Sequence, residues 1–489
     1  MKHIIGFAVL LAHATAHDEC LNSLRAPPGY DPTKCHALNA TKTLPTQCLG
    51  PKWSLDPPCP RCWSNDASDF VPGVSPTSLW PELRASMAAA LPRYLDHMEA
   101  THPPDTHRTS SGTVFSGVGG RALLLLKLHE LTRNVSYLES AQAYTKAMLS
   151  KLPKQKFLDL ASGAVGFQWS HVGMLCVAAV SASRRGDTAA ASDFVEQVRK
   201  VFEAAARGAS GRYDDFDSGR AGLLYAGRFL ESNLATNLTA APLIPRELVV
   251  GVATAIIDRG AATGSARGHT YMEWHGPNDA GLWLGQSHGA AGVLQMLLEV
   301  PELLSNSTAV SWMRRTLDHI VSTQFASGNF PTEYYNATED FLVQWDHGAP
   351  GVSATLIRAW RAFDEPTYKA AALRALDVTW RRGLVLKGLM NCHGISGNSW
   401  MQFYAARQLI AAGAPNEADK YIYRGLSFQQ TVLSHPILSG LTTMRQPQPM
   451  PEGPWSFWTG SVESAVELWA DLLHRGPANV SLTGWQAEL

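Results

Sequence analysis

Two short stretches place metal-ligating or proton-carrying side chains directly before a glycine. "QWDHGAPG", Gln344 to Gly351, sets Asp346 beside His347, and "NCHGISGN", Asn391 to Asn398, repeats the shape with Cys392 and His393. Each pair either does metal or acid–base chemistry or is simply a helix-starting turn. "SHGAAG" carries His288, and "DDFDSGRAG" crowds Asp214, Asp215 and Asp217 ahead of its glycine.

These stretches belong to a recurring Gly-x-x-Gly element that opens apolar helices. First glycines fall at Gly117, Gly163, Gly219, Gly289, Gly348, Gly394 and Gly460, the last in a degenerate copy, "WTGSVESAVELWADLL". Each interval has room for a helix, a connection and a second helix. Between the turns, "FVEQVRKVFEAAA" and "WMRRTLDHIVSTQF" carry apolar residues at three- and four-residue spacing, the mark of amphipathic helices. The spacing therefore predicts an all-α, seven-hairpin α/α toroid. Its glycines allow close backbone approach and, at some positions, positive φ. All seven turns are expected at one end, so that residues remote in sequence converge at the centre. A carboxylate or thiolate there gains from the helix N-terminus behind it.

The rest of the composition narrows the function classes. The 489 residues carry a net charge of −1 with 45% hydrophobic and 17% charged residues, so no basic footprint points to nucleic acid or a membrane surface. "MKHIIGFAVLLAHATA" has Lys2, an apolar run from Ile4 to Ala12 and a small-x-small site at Ala14–Ala16, which reads as a secretory signal over 1–16. That run is far short of the about 20 apolar residues of a membrane span. Residues 17–75 form a Cys/Pro-rich segment, and 76–489 the toroid. Cys20, Cys35, Cys48, Cys59 and Cys62 cluster in that segment and read as a disulfide-stapled region, "CPRC" having alternative redox or zinc-knuckle spacing. Sequons at Asn39, Asn134, Asn237, Asn306, Asn336 and Asn479 fit an N-glycosylated, secreted or secretory-lumen protein.

Over about residues 80–489 the chain resembles the lanthionine synthetase C-like (LanC-like) family. The resemblance is carried by "YMEWHG" followed by "SHGAAGVL", by "SGNFPTEY" followed by "FLVQWDHGAPGV", and by "LVLKGLMNCHGISGN", in that order. It implies the seven-hairpin toroid and a zinc ion held by two Cys and one His. Bacterial members add Cys thiols to dehydrated Ser or Thr, and eukaryotic members resemble glutathione-binding proteins that add glutathione to such residues. Cys392 and His393 match two of the implied ligands, while Asp346 stands at the position of the first Cys.

Three readings of Asp346 stay open: a harder zinc ligand beside Cys392 and His393, a helix N-cap at a lost metal site, or a metal-free general base. The resemblance gives His288 a general acid/base role, against a capping or core His, and Asp215 an acid role, against an acidic cap. His347 reads as structural. Lys387 and Arg445 look like contacts to an anion or to glutathione carboxylates, against ordinary solvated charges. No Arg precedes the turn in "EDFLVQWD", which weakens peptide cyclisation. Tyr271, Trp274, Trp283, Trp345, Trp400 and Trp458 are read mostly as core, with a sugar or peptide platform as the alternative. The leading function is a thiol-binding protein that adds thiols if zinc is bound. The alternatives are a non-catalytic peptide or glutathione-binding module with a degenerated zinc site, and a carbohydrate hydrolase using Asp215 or Asp217 with Asp346.

Overall fold

A computed structural model describes residues 37–38, 62–63, 65, 67–101, 103–104, 112–152, 163–208, 213–238, 242–276, 281–335, 340, 342–385, 388–434 and 461–483. The signal sequence, the side chains of the five N-terminal cysteines, Lys387, Arg445, Trp458, Gly460 and the sequons at Asn39 and Asn336 lie outside the described residues. The helices in chain order are α1 (Trp80–Thr101), α2 (Val118–Thr132), α3 (Val135–Leu149), α4 (His171–Arg184) and α5 (Thr188–Ala206). Next come α6 (Arg220–Leu238), α7 (Arg246–Ala266), α8 (Ala290–Leu297), the one-turn α9 (Pro301–Leu304) and α10 (Ser307–Ser322). The chain continues through α11 (Ala349–Phe363), α12 (Pro366–Arg382), α13 (Ile395–Ala411), α14 (Pro415–Ser434) and α15 (Ser461–Arg475). Among the described residues the only strands are Ala37–Leu38 and Cys62–Trp63, paired in parallel.

Seven helices, α2, α4, α6, α8, α11, α13 and α15, form an inner ring in which each packs on the next and α15 returns to α2. Inner and outer helices differ in sequence as their burial demands. Leu123 to Leu126 of α2 are all fully buried, since this helix is covered on every side; each such leucine contributes about 1.5–3 kcal/mol of hydrophobic stabilisation. Outer α5 instead buries a single stripe, Val195, Val198, Val201, Phe202 and Ala205. Outer helices start with side-chain caps: Asn134 on α3, Asp187 on α5 and Asn306 on α10. The N-terminal side of the toroid is strapped down as well. Asn65 Nδ2 donates to Trp380 O at 2.8 Å, and Asp69 pairs with Arg424 of α14 at 2.6 Å.

The glycine rule holds with one correction. In the second repeat Gly163 does not open the helix; Ser170 caps α4 and accepts from Val172 N, so the repeat runs Ser170 to Gly173. Positive φ is expected at some of the first glycines, and the helix-opening ones show it once. Gly117, Gly289 and Gly394 are extended, and of these helix-opening glycines only Gly348, at φ +99, needs the left-handed region. The second glycine has the stricter duty. A Cβ at Gly173, Gly222, Gly292, Gly351 or Gly397 would overlap the carbonyl oxygen of Phe167, Phe216, Gln286, Trp345 or Asn391 respectively. Each turn thus folds back onto the first turn of its own helix, six residues on.

Candidate functional site

Backbone hydrogen bonds tie these turns to one another around the ring. Phe115 N donates to Gln168 O at 3.0 Å, Val165 N to Ser218 O at 2.8 Å, and Phe216 N to Ser287 O at 3.0 Å. Gln286 N donates to Asp346 O and Asp346 N to Cys392 O, both at 2.9 Å, and Asn391 N reaches Ser464 Oγ at 3.1 Å. Arg121 of α2 and Glu463 of α15, each buried, close the circle as an ion pair. This lattice brings residues from the third to the sixth turn together.

The first cluster surrounds Asp346. Oδ2 of Asp346 lies 2.7 Å from His393 Nε2 and 3.4 Å from His347 Nε2. Cys392 Sγ lies 3.0 Å from the other nitrogen of the same ring, His393 Nδ1. One imidazole therefore separates the thiol from the carboxylate. Asp346, His347 and His393 each present a donor atom within 4.8 Å of the others, and all three are buried. A carboxylate with two imidazoles, adjoining a thiol, suits zinc or another divalent transition ion. The sequence reading set His347 aside as structural; the structure places it among the candidate donors.

The second cluster surrounds His288. Its Nδ1 lies 2.9 Å from Asp215 Oδ2, and its Nε2 lies 3.6 Å from Asp217 Oδ2. Asp215 Oδ2 also accepts Ser218 N, and Asp217 Oδ2 accepts Trp169 Nε1 at 3.3 Å and the Ser287 hydroxyl. Burial opposes the charged imidazolium, but its hydrogen bond to Asp215 and the charges of Asp217, Asp215 and Asp346 outweigh it and push His288 up to about 9. Burial is the main cause that lifts Asp217 to about 7; His288 and Ser287 pull it down, Asp346 and Asp215 push it further up. Asp214 has a different duty. It is held by Arg220 at 2.6 Å and Arg259 at 3.2 Å, anchoring the turn to α6 and α7.

Trp283 joins the two clusters, its ring set edge-on to both His288 at 5.1 Å and His347 at 5.6 Å. Trp274, Trp283, Trp345 and Trp400 are all buried, while Tyr271 is half-buried. Sequence reasoning weighed Asp217 only as half of a hydrolase pair and missed its place beside His288. The clue was its position two residues before Gly219, in a turn that the ring carries to the centre.

Comparison with known proteins agrees with this architecture. A family model described as lanthionine synthetase C-like protein matches residues 109–443. "Glutathione S-transferase LANCL1" of Danio rerio is 25% identical over 366 residues, 74% of this chain and 82% of the relative. "LanC-like protein GCL1" of Arabidopsis thaliana is 31% identical over 307 residues, covering 59% of this chain and 64% of that protein. Among solved structures, nisin cyclase superposes with a TM-score of 0.52 at 14% identity, over 80% of this chain and 99% of its own, a likeness of fold. With its seven-hairpin ring and a family match spanning most of its length, the chain belongs to the lanthionine synthetase C-like family.

Proposed function

We infer that the protein binds a thiol compound, glutathione or a Cys-containing peptide, at the ring centre and adds it to dehydrated Ser or Thr residues. The observation that carries this reading is the meeting of the Asp346–His347–His393 donors and Cys392 with His288 across Trp283. The name of the Danio rerio relative supports glutathione as the thiol. Asp346, His347 and His393 would hold a zinc ion, which when bound supplies Lewis acidity that lowers the pKa of a thiol. Cys392 bears on the Nδ1 side of His393 and fixes the ring. His288 supplies the proton for the enolate left after carbon–sulfur bond formation. Secretion and N-glycosylation belong to the same proposal. Asn134, Asn306 and Asn479 sit in exposed positions open to such modification.

The test combines glutathione titration calorimetry with mass spectrometry of a dehydroalanine peptide incubated with glutathione and the zinc-supplemented protein. The expected result is saturable binding and a mass gain of one glutathione, both lost in Asp346→Ala. Binding without addition would establish a binding module instead. Cleavage of a glycan panel that needs Asp215 or Asp346 would establish the hydrolase.

A further inference from the structure

The sequons whose backbone is described share one place in the fold. Asn134 follows α2, Asn237 lies in the last turn of α6, Asn306 follows α8 and the one-turn α9, and Asn479 follows α15. Each therefore stands where an inner helix ends. The inner helices start from the turns that hydrogen bonds join around the ring, so their ends form the opposite pole. The 15 residues of α2 alone put about 22 Å between Asn134 and its turn.

Exposure does not separate Asn134, Asn306 and Asn479, but hydrogen bonding does. Through Oδ1, Asn134 accepts Ser136 N at 3.0 Å and Ser136 Oγ at 2.9 Å, and so caps α3. Through Oδ1, Asn306 accepts Thr308 N at 3.0 Å and Ala309 N at 3.1 Å, and so caps α10. Among the described residues nothing bonds Nδ2 of either asparagine. Ser136 and Thr308, which complete the two sequons, are exposed. Asn479 is arranged the other way round. Its Nδ2 donates to Arg475 O at 3.2 Å, while Ser481, which completes its sequon, is fully buried. Ser481 N donates to Asp471, and Ser481 O accepts Lys127 Nζ.

We propose that Asn134 and Asn306 carry N-linked glycans on the pole away from the ring centre, each dividing its carboxamide between a helix cap at Oδ1 and a sugar at Nδ2. The proposal rests on the secretion reading and adds which asparagines are modified in the folded chain and on which face. The co-reactant is a lipid-pyrophosphate-linked oligosaccharide. Nδ2 bonds to its anomeric carbon as the bond from that carbon to the pyrophosphate oxygen breaks. The electron pair leaves with the lipid pyrophosphate, and one Nδ2 proton goes to a base of the transferase, with no oxidant or reductant needed. The helix keeps its cap, because the substituted carboxamide still accepts through Oδ1. At Asn479 the same transfer requires Ser481 to leave the buried seam between α2 and α15, so only chains that have not closed the ring are acceptors there. Glycans at Asn134 and Asn306 keep bulky partners off the far pole without standing between a peptide substrate and Asp346 or His288.

Glycopeptide mass spectrometry of the full chain secreted from a eukaryotic host reads the occupancy of each asparagine. Asn134 and Asn306 are expected to be occupied in most molecules and Asn479 in a smaller fraction. Aspartate and alanine at Asn134 or Asn306 both remove the glycan, but only alanine removes the cap. Asn134→Ala and Asn306→Ala should therefore unfold at lower temperature than Asn134→Asp and Asn306→Asp. An empty Asn134 or Asn306, an Asn479 occupancy equal to theirs or above it, or aspartate variants no more stable than the alanine ones overturn the assignment. If the chain does not leave the cell from its own N-terminus, the secretion reading fails by itself, and the same chain behind a foreign signal sequence still decides the three occupancies.

Discussion

Lys127 of α2 and Glu467 of α15 form a fully buried ion pair, with Lys127 Nζ 3.4 Å from Glu467 Oε1 and equally 3.4 Å from Asp471 Oδ1. Lys127 also donates to Ser481 O at 2.5 Å, and Glu467 accepts Asn391 Nδ2 at 2.9 Å. The seam that joins the first and last inner helices is therefore also hydrogen-bonded to the residue preceding Cys392. Replacing Lys127 by Met leaves two buried carboxylates for which, among the described residues, only Arg475 gives partial compensation, at Asp471. We expect Lys127→Met to cost about 3–5 kcal/mol in urea unfolding, and Glu467→Gln added to it to recover part of the loss.

Metal uptake separates the donors. Cobalt(II) titration is expected to give one bound ion with no sulfur-to-cobalt charge-transfer band, because Cys392 faces the other side of the His393 ring. Asp346→Ala and His347→Ala should abolish binding. Cys392→Ser should weaken it by about 10–100-fold, through loss of the contact that orients His393. A charge-transfer band that disappears in Cys392→Ser would put the thiolate on the metal.

Stability should fall as the solution becomes alkaline. His288 is raised from 6.5 to about 9, so the folded state holds its proton more tightly than the unfolded chain. Its contribution is complete below pH 6.5 and is lost as pH climbs through 9. The shift corresponds to about 3 kcal/mol. Urea midpoints measured between pH 6 and 10 should show this decline in wild type, and His288→Gln should flatten it.

Two glycines with positive φ make a controlled comparison. Gly348 has φ +99, and an added Cβ would overlap Leu342 O; Gly186 has φ +81 with nothing near. Alanine at Gly186 should cost about 1–2 kcal/mol from backbone conformation alone. At Gly348 the collision adds to that strain, so thermal unfolding of Gly348→Ala should begin well below that of Gly186→Ala.

Most of the turns that lie in the described residues were legible because glycine spacing and apolar periodicity are local patterns. The misreading of the second repeat is local too: Gly163-x-x-Gly166 has the right letters, but Ser170 supplies a better cap and Gly173 keeps the close carbonyl contact. Asp346, Cys392, His393, His288 and Asp215 could each be named from their turns, and the ring brings them into two adjoining clusters. What could not be read is the support that arrives from elsewhere. Asn329 caps α11 from outside the helix, accepting Ala349 N at 2.8 Å while donating to Asp340 Oδ1 and Leu342 O. Nothing in "SGNFPTEY" announces that task. The place of Asp217 beside His288 is hidden for the same reason, since its neighbours Trp169 and Ser287 lie 48 and 70 residues away.

The turn-to-turn hydrogen bonds have a thermodynamic consequence. In an open stack of helical hairpins, terminal repeats can fray while the middle persists. Here the first repeat is also the neighbour of the last, so the molecule has no end from which to unzip. Opening any one hairpin strips partners from two others, and the chemical centre is assembled only when the whole circle is closed.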